Sequence, residues 1–219
     1  MAAITIDYTP AVHQTAGIGR LTREVVRALL EIPSDHRYTL FCMGRSRKTE
    51  DGGRKTEDRG QRTEDALSSV DRPLSSVHRP PSSVFRVAPL TDRWFHRLWF
   101  RARVPLPVDI FAGTPDLYHA TDFILPPTFA RKTVLTVHDL TFERDPESAV
   151  PTLLRFLKRV VPASARKATH LVADSHATAA DLVSLYDIPR DRITVIHSGV
   201  DERFFAGAQD GARIRAAYA

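Results

Sequence analysis

Short β-rich runs alternate with amphipathic helical segments along most of this chain, and that alternation constrains its fold more than any other feature. Residues 3–8 read as a strand with Ile4 and Ile6 on one face. After a polar, glycine-containing loop, Ile18, Leu21, Val25, Ala28, Leu29 and Ile32 recur at spacings of three and four. Arg20, Arg23, Glu24, Arg27 and Glu31 fall opposite them. The pattern predicts an amphipathic helix that buries this apolar stripe and ends near Pro33. Further strands are predicted at 37–43, 84–88, 116–120, 133–138, 170–173 and 192–196.

The remaining helices follow from similar signals. Over 93–103, Trp94, Phe95, Leu98, Trp99 and Ala102 share a face, with Arg97 and Arg101 opposite. That face suits either a domain core or a membrane interface. Pro151 opens a helix at its favoured first position, with Leu153, Leu154, Leu157, Val160 and Val161 as the buried stripe. Pro162 is expected to kink or divide it. Ser175 caps a helix over 177–186, and a last helix begins near Asp210. Strands alternating with helices predict an α/β domain with a mostly parallel sheet and helices on both faces. Such sheets bind ligands at the carboxyl ends of their strands. The loops of interest are therefore 9–19, 120–128, 138–150, 174–176 and 197–205.

One stretch breaks the alternation. Thr-Glu-Asp occurs at 49–51, 56–58 and 63–65, and Ser-Ser-Val at 68–70, 75–77 and 82–84. A period of seven invites a coiled coil, but the first block lacks an apolar pair for the seam, and Pro73, Pro80 and Pro81 break the second. Residues 45–83 read as a low-complexity surface insertion between two strands, a disordered spacer. The chain of 219 residues carries a net charge of +5, compatible with a basic solvated surface or with anionic partners. No nucleic-acid-reading motif appears, and the arginines are scattered rather than striped. A single cysteine, Cys42, cannot make an internal disulfide, and the N-terminus has no signal-peptide pattern. The expected location is the cytoplasm.

Candidate chemistry sits in the strand-end loops. Gly17, Ile18 and Gly19 open a helix, where free N–H groups and the helix dipole suit a phosphate; the same residues also suit a tight strand-to-helix turn. His138 and Asp139 end a strand. The imidazole suits a sugar hydroxyl or proton transfer, with Asp139 orienting it or contacting substrate itself, or it is a strand-end histidine satisfied by neighbouring backbone. His119, Asp122, Ser175, His176 and His197 occupy other strand ends. No Asp-x-Asp, His-Glu-x-x-His or Gly-x-Ser-x-Gly occurs, so no metal is expected.

Taken in order, several of these segments resemble the N-terminal domain of glycosyltransferase family 4. They are Gly17-Ile18-Gly19-Arg20, Asp116-Leu117-Tyr118-His119-Ala120 before Pro126-Pro127, Thr136-Val137-His138-Asp139-Leu140, Val172-Ala173-Asp174-Ser175, and the run from Ile193 to Asp201. The resemblance runs from Ile4 to about Phe205, interrupted by the insertion. It implies the N-terminal, acceptor-side half of a GT-B fold: a Rossmann-like domain over 1–205 and the start of a linker over 206–219. The implied reaction is transfer of a hexose, with retention of configuration, from a sugar nucleotide to a glycan or lipid-linked acceptor. By resemblance, Gly17, Ile18 and Gly19 would approach the donor diphosphate, and His138 would lie beside the transferred sugar, contacting it or the acceptor. Asp139, Ser175 and His176 would line the acceptor side, with His119 and Asp122 as further substrate-binding candidates from their strand-end positions.

The family's second domain holds the nucleotide with a pair of glutamates and an Arg/Lys pair, and that domain is not expected within these 219 residues. Ala16 also stands where many members have glycine. The expectation is therefore a half-enzyme with little activity alone. Its partner would be a donor-domain subunit or a second copy of itself, with peripheral contact at the inner membrane face as a further expectation. The rival expectation is a non-catalytic binding module.

Overall fold

A computed structural model describes residues 1–15, 17–44 and 83–200. Apart from Ser83, the insertion lies outside these residues, as do the helix expected near Asp210 and the linker at 206–219. Seven strands form one sheet: β1 (Ala3–Asp7), β2 (Arg37–Gly44), β3 (Ser83–Thr91), β4 (Leu117–Ala120), β5 (Lys132–Val137), β6 (His170–Ala173) and β7 (Ile193–Val195). Their spatial order is β3-β2-β1-β4-β5-β6-β7, and every pairing is parallel. The chain works outward from β1 to β3, returns to the other side of β1, and works outward again to β7. Right-handed crossovers in opposite directions put helices on opposite faces. This is a Rossmann-like α/β domain, with the reversal of direction between β1 and β4.

The sheet's period of two divides the core. Ile6, Tyr38 and Leu40 face one cluster with Ala11 of α1 (Thr9–His13) and Val26 of α2 (Gly17–Glu31). Phe41 and Met43 face the other, larger cluster. There they meet Phe95 of α3 (Asp92–His96), Trp99 in the π-helical turn Arg97–Arg101, Val161 and Ala165 of α6 (Pro151–Lys167), and Leu182 of α7 (His176–Tyr186). Two short helices, α4 (Asp109–Ala112) and α5 (Thr141–Arg144), complete the connections.

The structure corrects three of the expected helix faces. In α2 the buried residues are Gly19, Thr22 and Val26, whereas Val25 and Ile32 are exposed. Small residues set this contact. A Cβ at Gly19 would run into the carbonyl oxygens of Gln14 and Pro10, so only glycine lets the first turn of α2 press onto the end of α1. Thr22 is buried because its hydroxyl donates to the Ile18 carbonyl (2.9 Å). In the 93–103 segment, Phe95 and Trp99 turn inward, and the Trp99 Nε1–H donates to the Leu106 carbonyl (2.8 Å), while Trp94 and Ala102 stay exposed. α6 runs undivided through Pro162 and buries Val160, Val161, Ser164 and Ala165, with Leu153 exposed. One lost backbone hydrogen bond, of order 3 kcal/mol with the ring's clash, is outweighed by that buried second half.

The Gly19 contact predicts an asymmetry between neighbouring glycines. Gly19→Ala should destabilise the fold by about 1–3 kcal/mol in urea unfolding, because protein backbone fills the space its methyl needs. Gly17→Ala, which meets nothing within 4 Å, should leave the midpoint unchanged or slightly raised.

Candidate functional site

Parallel strands that diverge at a reversal leave a crevice at their carboxyl ends, and polar residues gather at this one. β1 and β4 pair as far as Ile6 opposite His119. Beyond that point β1 ends in Asp7 and runs into α1, while β4 continues through Thr121 and Asp122 into the 121–131 loop. The Thr121 hydroxyl donates to the Asp7 carbonyl (2.7 Å) and ties the two strand ends. Gln14, just after α1, donates through Nε2 to Asp122 Oδ2 (3.0 Å) across the mouth of the crevice.

His138 follows β5 and lies behind these groups. Its Nε2–H donates to the Thr121 carbonyl (3.0 Å), and its Nδ1–H donates to Asp174 Oδ2 (2.7 Å), at the end of β6. A carbonyl and a carboxylate are both acceptors, so both ring nitrogens carry protons and the ring is an imidazolium. Burial opposes that charge, but the Asp174 hydrogen bond and its negative charge outweigh burial and raise the pKa above the ordinary histidine value. Phe123 closes one side, its ring edge-on to His138 at 5.5 Å. Phe123 adopts φ 47°, in the left-handed region that costs a side-chain-bearing residue about 1 kcal/mol, and its N–H donates to the Thr136 carbonyl (3.1 Å). Beyond His138, the His197 Nδ1–H donates to the Asp174 carbonyl (3.1 Å). A hydrogen-bonded line therefore runs Asp7–Thr121–His138–Asp174–His197, across the ends of β1, β4, β5, β6 and β7.

The other sequence candidates take different positions. Asp139 does not orient His138. It is exposed, and its Oδ1 accepts the Thr141 N–H (2.9 Å) at the start of α5, leaving Asp174 as the orienting carboxylate. Ser175 is the N-cap of α7, accepting the Thr178 N–H (3.0 Å), and the Thr178 hydroxyl donates to the His138 carbonyl (3.0 Å). His119 lies beneath the crevice, its Nε2 2.9 Å from the Thr136 hydroxyl. Burial, helped by the His138 charge, lowers its pKa to about 4, so it is neutral at physiological pH. His176 is exposed at the rim, its ring 5.4 Å from that of His197. Gly17 opens onto free space, Ile18 uses its carbonyl for Thr22, and Gly19 is packed against Pro10 and Gln14. Asp122 lines the crevice with Gln14, and burial raises its pKa against the Gln14 hydrogen bond and the His138 charge.

Sequence reasoning missed Asp7, Thr121 and Asp174 as members of this cluster. The signal was positional: each stands at, or just after, the carboxyl end of a strand. Among the described residues, no group of three or more His, Cys, Asp and Glu side chains could hold a metal ion.

Asp7 gives the cluster a pH signature. Burial pushes its carboxyl from 3.8 to about 6, against two hydrogen bonds from Thr9 and with the Asp122 charge adding to the rise. The folded state thus binds the proton more tightly than the unfolded state. The associated stability is fully present below pH 3.8 and is lost as pH rises through about 6, at a cost of about 3 kcal/mol by pH 8. Asp7→Asn keeps the acceptor for the Thr9 N–H and removes the charge. It should raise stability at pH 8 by up to about 3 kcal/mol in denaturant unfolding, with the gain shrinking to nothing near pH 4. His119 acts with the opposite slope: its stability is present above 6.5 and lost as pH falls through about 4.

No curated protein matches the sequence. The family model for glycosyltransferase family 4 matches residues 15–204. That span takes in β2 to β7 and every member of the strand-end line except Asp7. With the all-parallel sheet, its reversal at β1 and β4, and the polar crevice there, the match shows that this chain belongs to glycosyltransferase family 4.

Proposed function

We propose that this domain forms the acceptor side of a glycosyl-transfer site. In that reading a hexose passes, with retention, from a sugar nucleotide to a glycan or lipid-linked acceptor, while a separate donor domain holds the nucleotide. The observation that carries the reading is the cluster of Gln14, Asp122 and His138 at the β1–β4 crevice of a family 4 chain. Carboxylates and amides of this kind suit sugar hydroxyls, each accepting or donating in a fixed direction.

The cluster's chemistry assigns it binding and electrostatics rather than proton abstraction. His138 has both nitrogens donating to protein acceptors, so it has no lone pair with which to take a proton from an acceptor hydroxyl. Its role is to hold Thr121 and Asp174 in place and to supply positive charge beside the transferred sugar, where negative charge develops on the departing diphosphate. The first N–H groups of α2 at Gly17 and Ile18 add partial positive charge of the same sense. The remaining diphosphate contacts belong to the donor domain.

With UDP-glucose and GDP-mannose as donor probes, the 219-residue chain by itself is expected to show no transfer above background. A glycan array should show acceptor binding that weakens about tenfold in Asp122→Asn, the loss of one charge-assisted hydrogen bond. Robust turnover by the chain alone, or array binding indifferent to Asp122, would contradict the reading.

A further inference from the structure

Two imidazoles face each other at the far end of the strand-end line. His176 opens α7 directly after its Ser175 cap, and His197 follows β7. Both are exposed. Their ring centres lie 5.4 Å apart, with 69° between the planes.

Both side chains leave from fixed backbone. Ser175 accepts the Thr178 N–H (3.0 Å) and anchors the start of α7. The Ile196 N–H donates to the Ala173 carbonyl (2.9 Å), so the chain still follows β6 where His197 departs. His197 is oriented further, because its Nδ1–H donates to the Asp174 carbonyl (3.1 Å). A carbonyl only accepts, so in the neutral ring the proton sits on Nδ1 and the Nε2 lone pair points away from that bond. Metal-ligating histidines are held in this manner, with one nitrogen donating to a carbonyl and the other on the ion. The spacing fits too. With about 2.1 Å from zinc to nitrogen and about 1.1 Å more to the ring centre, two imidazoles on one tetrahedral ion have centres about 5.3 Å apart.

The ligand type narrows the ion. Imidazole suits zinc, nickel and copper, whereas magnesium and calcium call for oxygen. The partial positive charge at the start of α7 opposes any cation, and only an ion that bonds nitrogen strongly offsets it. We propose that His176 and His197 chelate one divalent ion of the zinc class, between the start of α7 and the exit of β7, with water in the remaining positions. Among the described residues no third His, Cys, Asp or Glu completes the set, so the ion is exchangeable rather than part of the fold. The inference stands apart from the glycosyl-transfer reading, because it uses neither donor nor acceptor.

Isothermal titration calorimetry on the full chain, without a histidine tag, tests it. Zinc chloride should bind at one ion per chain, and magnesium chloride should give no heat of binding. His176→Ala and His197→Ala, each alone, should weaken zinc binding about a hundredfold, as a chelate falls to a single imidazole. His36→Ala, at an exposed histidine elsewhere, should leave it unchanged. In nitrogen-15 NMR of the wild-type chain, zinc should shift the His176 and His197 ring signals together, a readout that does not depend on any variant folding. Absence of zinc binding would overturn the proposal, as would magnesium binding as tightly as zinc. So would affinity that is unmoved by either alanine variant or lowered by only one of them. One zinc per two chains would also overturn it, by assigning the ion to a contact between copies.

Discussion

Two hydrogen bonds from one imidazole hold the carboxyl edge of this sheet in register. His138 donates to the Thr121 carbonyl and to Asp174, and so links β4, β5 and β6 at the level where their loops depart. Thr121 extends the link to β1 through the Asp7 carbonyl, and His197 extends it past β6 to the end of β7. Ladder hydrogen bonds stop at the strand ends, so without these side chains the crevice walls would be tied only through their loops. The line is conditional on charge. It needs the proton on each side of His138, and the Asp174 carboxylate keeps both there.

The same arrangement explains why so many titratable groups are shifted together. Asp7 and Asp122 rise because burial disfavours their charge, and His119 falls for the same reason. His138 moves against its burial, because it has the Asp174 counter-charge within hydrogen-bond reach. Sites that shift neighbouring groups in this way are candidates for binding and catalysis. Here the inference agrees with the topology, which puts the crevice at the one point where strand order reverses.

Much of this was legible in the sequence because the fold rests on periodicity. The strand and helix order, the parallel sheet, the Ser175 cap and the membership of family 4 all follow from short patterns and their spacing. What was not legible depended on contacts between distant segments. Val25, Ala28 and Ile32 of the α2 stripe are exposed, while Gly19, Thr22 and Val26 make the close approach to the core. Pro162 does not divide α6, because Val160, Val161 and Ala165 bury on both sides of it. Asp139 is adjacent to His138 in sequence, yet Asp174, thirty-six residues further on, is the partner, because β5 and β6 are neighbours in the sheet. The 93–103 helix was ambiguous between core and membrane. The structure divides it, burying Phe95 and Trp99 and exposing Trp94 beside the arginines.

The central claim is that His138 is a doubly donating cation that organises the crevice. Nitrogen-15 NMR of the histidine side chains measures this directly, with His138→Gln used to assign its signals. At neutral pH both His138 nitrogens should carry protons, and the ring should titrate above the ordinary value of 6.5. A His138 ring with one unprotonated nitrogen at pH 7, titrating at or below 6.5, would contradict the account.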